Sequence, residues 1–445
     1  MKARHLNFFA VLATALTLVG CDQGQKAPLK TQIRVVNAAP SFSQLWFRRE
    51  HTDTRDALAF KGVASHEYDA DTYDFYVYQQ RVATGEILDT WTFARQLVAD
   101  KNYTFVLAEV AGKVSPQIVA YSPKLANSGD TQIAVVHAGE SLPAMDVYVQ
   151  PTGVGIAGAT PRGSVSFLGQ LAAGTLANGD YEITFTAAGD PNNLLFASTA
   201  VNLAAGVTNV FVITAESGQG TEALSVVMAQ ESSFVLYAAN ATSAVRVINA
   251  ADDGQPRDFA INHEYSPPLF TAAPYATATS YAAVPISASL PISVTPVGNP
   301  GVLEFDGAMT SSAGQLNTVM FGGPAGTLIS QISTDDRRRI VGEAKLRFFN
   351  AATQFTTVTE LVVLPIDTAD QTTVGATAAL GAPAATDTLY IEPDTYDLLF
   401  RETATNTVRA GPIRVNLASG GIYGVMTLNG PDTATATVVF LDDMP

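Results

Sequence analysis

A chain of 445 residues is too long for one hydrophobic core and suits three or four domains. With 47% apolar and 15% charged residues it can bury large cores and is no disordered polyanion, and its 34 Gly and 23 Pro suit many short strands joined by turns. The formal charge of −16 excludes a grip on nucleic-acid phosphates and gives no pull toward anionic lipid headgroups.

Met1-Lys2-Ala3-Arg4-His5 is a short basic stretch, followed by an apolar run from Leu6 to Val19. That run is too short for a comfortable membrane span but right for the core of a signal peptide. It ends in Leu18-Val19-Gly20-Cys21, which resembles the lipobox of bacterial lipoproteins. The resemblance implies cleavage before Cys21, a diacylglyceryl group on its sulfur and acylation of the new amino group. Several acyl chains anchor a protein firmly where one gives only marginal binding. Cys21 is the single cysteine. Lipidation accounts for this orphan thiol, and disulfides and Cys-based metal sites are excluded. Residues 1–20 are therefore read as a lipoprotein signal peptide and 21–30 as a polar tether. In enterobacterial lipoproteins an Asp after the lipidated Cys resembles an inner-membrane retention signal, so Asp22 favours the inner over the outer membrane. From residue 21 onward the charge is −18, because Lys2 and Arg4 are removed.

Beyond the tether one stretch recurs. It reads Ile33-Arg34-Val35-Val36-Asn37-Ala38-Ala39, then Ile133-Ala134-Val135-Val136-His137-Ala138-Gly139, then Val245-Arg246-Val247-Ile248-Asn249-Ala250-Ala251, then Leu346-Arg347-Phe348-Phe349-Asn350-Ala351-Ala352. The closing polar residue falls at 37, 137, 249 and 350, giving steps of 100, 112 and 101, each about the length of a domain. The apolar, β-branched run predicts a strand, and the Asn or His that follows predicts a turn.

Three further signals recur in order. A short alternating strand comes first: Gln44 to Phe47, Asp146 to Val149, Asp258 to Ile261 and Glu360 to Val363, three of the four opening on an acid. A turn and an alternating strand follow at Asp71 to Tyr78, Asn178 to Phe185 and Pro393 to Phe400, degenerate in the third repeat at Leu290 to Val294. A Gly or Asn turn then enters an apolar strand at 100–107, 205–212, 313–320 and 419–426, and a closing strand ends each repeat. No helix–strand alternation is present, so an all-parallel sheet is not expected.

Strands of four to eight residues with turns about every ten describe four tandem antiparallel Ig-like β-sandwich domains in an all-β chain. Their expected bounds are 31–124, 131–230, 242–336 and 344–445. Linkers are expected near 126–130, 231–242 and 335–343, the last a solvated junction at Asp335-Asp336-Arg337-Arg338-Arg339. The pattern resembles the DUF4397 family of exported bacterial β-sandwich domains, which opens on an Arg-Val-Val-His-Ala-type run followed by an Asp-Val-Tyr-Val strand. Val135-Val136-His137-Ala138 with Asp146-Val147-Tyr148-Val149 carries it best, and the third repeat carries it least. That resemblance implies no activity.

Chemistry-bearing residues form no recognisable constellation, so no catalytic, cofactor-binding or metal-ligating residue is assigned. His5, His51, His66, His137 and His263 include no His-Glu-x-x-His spacing. His137 aligns with Asn37, Asn249 and Asn350, an exchange that a turn residue tolerates and a general base does not. Gly153 to Gly158 lacks the strand and helix of a nucleotide site and reads as a loop. The acids at 69, 71 and 74, at 252, 253 and 258, at 335 and 336 and at 442 and 443 lack a calcium-loop pattern and read as solvated. The aromatics at Trp46-Phe47 and Tyr73 to Tyr78 read as sheet core, with a glycan or protein contact as the alternative. Two functions remain: a membrane-anchored, non-enzymatic protein of the cell envelope for binding, adhesion or spacing, or a polysaccharide-active or other hydrolase with a polar pocket on the loops of one divergent repeat, at 51–68 or 251–270.

Overall fold

The computed structural model describes residues 30–50, 55–216, 222–230, 233–355, 357–366 and 376–443. The signal peptide over 1–20, Cys21, Asp22, the tether up to Leu29 and His51 lie outside the described residues.

Alternation builds the first unit. In Thr72–Gln80, Phe75 and Val77 turn into a core with Ile33, Val35, Leu45, Phe47 and Phe105, while Asp74 and Tyr76 face outward. The eight strands are β1 (Lys30–Asn37), β2 (Gln44–Arg49), β3 (Asp56–Ala59), β4 (Val63–Asp69), β5 (Thr72–Gln80), β6 (Ile87–Gln96), β7 (Asn102–Val110) and β8 (Lys113–Tyr121). They form two four-stranded sheets, in the orders β4-β1-β7-β8 and β3-β2-β5-β6. The same plan recurs three times along the chain. The opening strands Asp130–His137, Ser243–Ala251 and Ala344–Asn350 sit, like β1, inside the first sheet of their units. The chain is thus an all-β, multi-domain array of β-sandwiches, with no helix among the described residues.

Two features differ from the pattern read along the chain. Each opening strand runs parallel to one neighbour, β1 to β7 and its counterparts likewise, so the first sheets are mixed. The chain returns beside its first strand twice, as antiparallel β4 after one visit to the second sheet and as parallel β7 after the other. Residues 233–236, read as linker, add a fifth strand to the first sheet of the second unit by pairing with Leu224–Ala229.

The opening strands are buried on both faces. Ile33 and Val35 face their own core, while Val36 and Ala38 join Ala134, Val136, Ala138, Val210 and Val212 in a separate apolar cluster. The outer faces of the first sheets of units one and two are therefore packed on each other. Units three and four do the same through Ile248, Ala250, Met320, Phe349, Ala351 and Met426. Small Ala and Val side chains let the backbones of two sheets approach, and burial on both faces explains why the repeated stretch reads as a continuous apolar run.

The embedded arginines lie in these seams. Arg34 donates to the Ala229 carbonyl of unit two at 3.1 Å. Arg246 of unit three forms a bidentate pair with Asp442 of unit four, and Arg347 of unit four pairs with Asp335 of unit three, a near-symmetric exchange. Arg337 also reaches Asp442, and the Tyr281 hydroxyl donates to Asp335 at 2.6 Å.

The expected solvated junction at 335–339 is mostly drawn into the seam, with Arg339 left exposed. The Asp335 and Asp442 side chains are only 4% and 6% exposed. Arg338 donates to the Phe42 carbonyl at 3.1 Å, the Val341 amide to Ser41 at 2.9 Å, and the Val82 amide to Glu343 at 2.8 Å, so the linker is docked on unit one. Gly342, at φ 78°, allows this approach, since a Cβ there would stand 2.9 Å from Leu88. Burial opposes ionisation of Asp336, but Arg338 donates to it and Lys345 lies beside it, and its carboxyl is held down at about 2. Burial dominates at Lys345, whose ammonium is lowered to about 8 against the pull of Asp336. Charges survive here because each is paired within the seam, which a sequence scan for charged junctions cannot see.

Candidate functional site

The recurring polar residues of the opening stretch are structural. Asn37 accepts from the Ala39 amide at 3.0 Å and donates to the Leu58 carbonyl at 2.9 Å, closing an Asx turn and pinning the edge strand of the opposite sheet. Asn249 does this with Ala251 and Ala273, and Asn350 with Ala352 and Leu380. His137 bonds the Pro143 carbonyl through Nε2 at 2.9 Å, and burial lowers its pKa and keeps it neutral. The acid that opens the second strand is structural as well. Asp146 receives the Gly189 amide, and Asp258 the Gly298 and Ala272 amides, at 2.8–2.9 Å. Glu360 instead pairs with Arg401 at 2.8 Å.

Neither loop region proposed for a hydrolase assembles an active site among the described residues. In 251–270, Asp252 binds Thr353 and Asn429 of unit four, Asp253 pairs with Arg257, and His263 pairs with Asp306 at 2.9 Å in the open. His263 is thus tied to a carboxylate 43 residues away along the chain. In unit one, His66 meets Asp56 at 2.8 Å beside a cleft of about 340 Å³ lined by Lys30, Arg48, Arg49, Glu67, Tyr68 and Asp69. Burial pushes the Tyr68 hydroxyl up to about 12, opposed by Arg49. Ser65 precedes His66 on β4 and so points to the opposite face of the strand, which leaves the His–Asp pair without an adjacent hydroxyl nucleophile from that residue. No group of three or more His, Cys, Asp or Glu able to hold a metal ion occurs among the described residues.

The acids read as solvated are mostly engaged. Asp69 pairs with Lys30 at 2.9 Å, and Asp335, Asp336 and Asp442 belong to the seam between units three and four. Asp443 binds Arg339. The stretch around Gly153 to Gly158 lies in the loop between strands Met145–Pro151 and Gly163–Val165.

The outer face of the β3-β2-β5-β6 sheet stands apart. At the equivalent outward positions of the other units, Tyr148, Ala260, Ser293, Val362 and Leu399 are buried. In unit three the cover includes residues 262–269, from which the Tyr265 hydroxyl donates to Ser293 at 2.7 Å. The matching connection in unit one, between β2 and β3, spans only residues 50–55, against 152–162, 262–269 and 366–375 in the others. Trp46, Arg48 and Tyr76 accordingly remain part-exposed. Two cross-strand rows run over this face: Ala57, Trp46, Tyr78 and Thr90, and beside it Arg48, Tyr76 and Thr92. Trp46 stacks on Tyr78, with centroids 6.3 Å apart and an interplanar angle of 9°. Arg48 lies over Tyr76 at 4.7 Å and Arg55 over Trp46 at 5.1 Å. The aromatics of this region thus divide: Phe47 and Phe75 are core, while Trp46 and Tyr76 form a surface.

Charge sets the first unit apart too. Residues 30–124 hold 11 Lys/Arg and 11 Asp/Glu, a net of 0, whereas residues 125–445 hold 11 and 29, a net of −18.

Residues 243–359 match the family model "Domain of unknown function (DUF4397)". The match covers the third unit and the opening strand of the fourth, although the family's motifs read most completely in the second. No curated protein matches the sequence. Among solved structures, the chain is similar to the Bacillus anthracis TIE protein, at 11% identity and a TM-score of 0.16, over 90% of this chain and 69% of that one. It is also similar to CBMbc (family CBM26) from Eubacterium rectale Amy13K, solved in complex with maltoheptaose, at 12% identity and a TM-score of 0.15, over 44% of this chain and 96% of that one.

Proposed function

We propose that this chain is a lipid-anchored protein of the bacterial cell envelope that binds a ligand, without catalysis, through the outer face of the sheet formed by β3, β2, β5 and β6. The observation that carries the reading is the part-exposed face of Trp46, Arg48 and Tyr76 in unit one, at positions that are buried in the other three units. Trp, Tyr and Arg are enriched among the residues that dominate binding energy at interfaces. The tether of residues 21–30 leads straight into unit one, so this face is held close to the anchor along the chain. The anchor rests on the lipobox ending in Gly20-Cys21.

Anchoring and binding are tested separately. Cys21→Ala is expected to move the protein from the membrane to the soluble fraction of the cell envelope; unchanged membrane partition removes the anchor. The soluble chain from Asp22 onward is expected to bind ligands on a combined glycan and protein array. Trp46→Ala should weaken that binding by about 2 kcal/mol, roughly thirtyfold, with the circular dichroism spectrum unchanged. Binding indifferent to Trp46→Ala places the ligand elsewhere.

A further inference from the structure

Arg48 and Arg55 stand in a chain with 41 acids and 25 Lys/Arg, yet neither has a carboxylate partner among the described residues. Arg81, Arg246, Arg257, Arg347, Arg401 and Arg409 each meet one. The β2–β3 register ends with Phe47 opposite Asp56, and Arg48 and Arg55 are the next residues of the two segments. Both are held by ring faces, with Arg55 also donating to the Tyr78 hydroxyl at 3.3 Å. A ring face orients a guanidinium but satisfies few of its five N–H donors, whose planar fork matches a carboxylate in a bidentate pair. Resting on the reading that this is the ligand face, we propose that it binds a carboxylate-bearing polysaccharide. Arg48 and Arg55 grip the carboxylates, and Trp46 and Tyr76 form the platform that holds both forks in place.

Three observations favour an acidic sugar chain over an acidic protein. The two rows end in the exposed hydroxyls of Thr90 and Thr92 on β6, suited to sugar hydroxyls. None of the exposed large aliphatic residues of the chain lies in these rows, so the apolar anchor that a protein partner would use is missing. The face is also an open sheet surface rather than a pocket, which accepts an extended chain. The net charge of 0 over residues 30–124 leaves unit one free of the repulsion that the −18 of residues 125–445 directs at a polyanion.

The test is affinity electrophoresis of the soluble chain from Asp22 onward in gels containing polygalacturonate, dextran or polyglutamate. Retardation by polygalacturonate is expected, with little by dextran or polyglutamate, and it should weaken as salt is added. The double variant Arg48→Gln, Arg55→Gln should bind polygalacturonate about tenfold more weakly or worse while keeping its circular dichroism spectrum. Absence of polygalacturonate binding overturns the inference, as does equal retardation by polyglutamate or full binding by the double variant. If dextran is bound and Trp46→Ala abolishes it, the binding face stands and the acidic ligand fails.

Discussion

Arg246→Met is expected to lower the unfolding free energy of the C-terminal pair of units by about 3–5 kcal/mol, the usual cost of removing one partner from a buried ion pair. Arg246 and Asp442 are each 6% exposed at the side chain, and they belong to different units. Burial opposes the Arg246 charge, but Asp442, Tyr281 and Asp335 around it raise its pKa, so the guanidinium stays charged at any pH at which the protein folds. Its removal leaves the Asp442 carboxylate to Arg337 and uncovers Asp335, which Arg347, Tyr281 and Thr318 then hold. The neutral pair Arg246→Met, Asp442→Leu should lose less than the sum of its single variants, with a coupling of about 1 kcal/mol or more. Chemical denaturation followed by circular dichroism measures both. The two Trp residues, Trp46 and Trp91, lie in unit one, so their fluorescence should respond less than the dichroism. A midpoint unmoved by Arg246→Met would show that the charge seam does not hold units three and four together.

A larger local effect is expected from Val136→Asp. Val136 has no exposed surface and lies where the first sheets of units one and two face each other. A carboxylate there meets Val36, Ala38, Val106 and Val212, none of which offers a hydrogen bond from its side chain. Burying it costs about 4 kcal/mol or more, or forces the two sheets apart. The expected readouts are a lower midpoint in Trp fluorescence and faster proteolysis within 122–130, the mostly exposed segment between the units. Thr92→Asp, on the exposed face of β6, is the control and should shift stability by no more than about 0.5 kcal/mol. Similar midpoints for the two variants would mean that the apolar cluster at Val136 does not join the units.

Much of this architecture was legible along the chain. Alternation in stretches such as Thr72–Gln80 is a local signal with a period of two, and it marks which side chains face a core. The Asn residues at 37, 249 and 350 could be recognised as turn residues because an Asx turn is closed by an amide two positions on. The longer reach of the same side chains, to Leu58, Ala273 and Leu380 of the opposite sheet, left no trace in the pattern. The open face of unit one had a faint signal in the short connection between β2 and β3, visible only once the strand boundaries were known.

By itself, then, the sequence determined a repetitive all-β chain and the order of its strands and turns, because those signals span only a few residues. Tertiary structure alone decided what covers each outward face. Arg34 meets a carbonyl 195 residues away and Arg246 a carboxylate 196 residues away, and no local period encodes such partners. The opening run therefore carries two cores at once, one within its sandwich and one against its neighbour. The same outward alternation leads to burial at Val36 and to an open surface at Trp46, because only the first has another sheet packed over it.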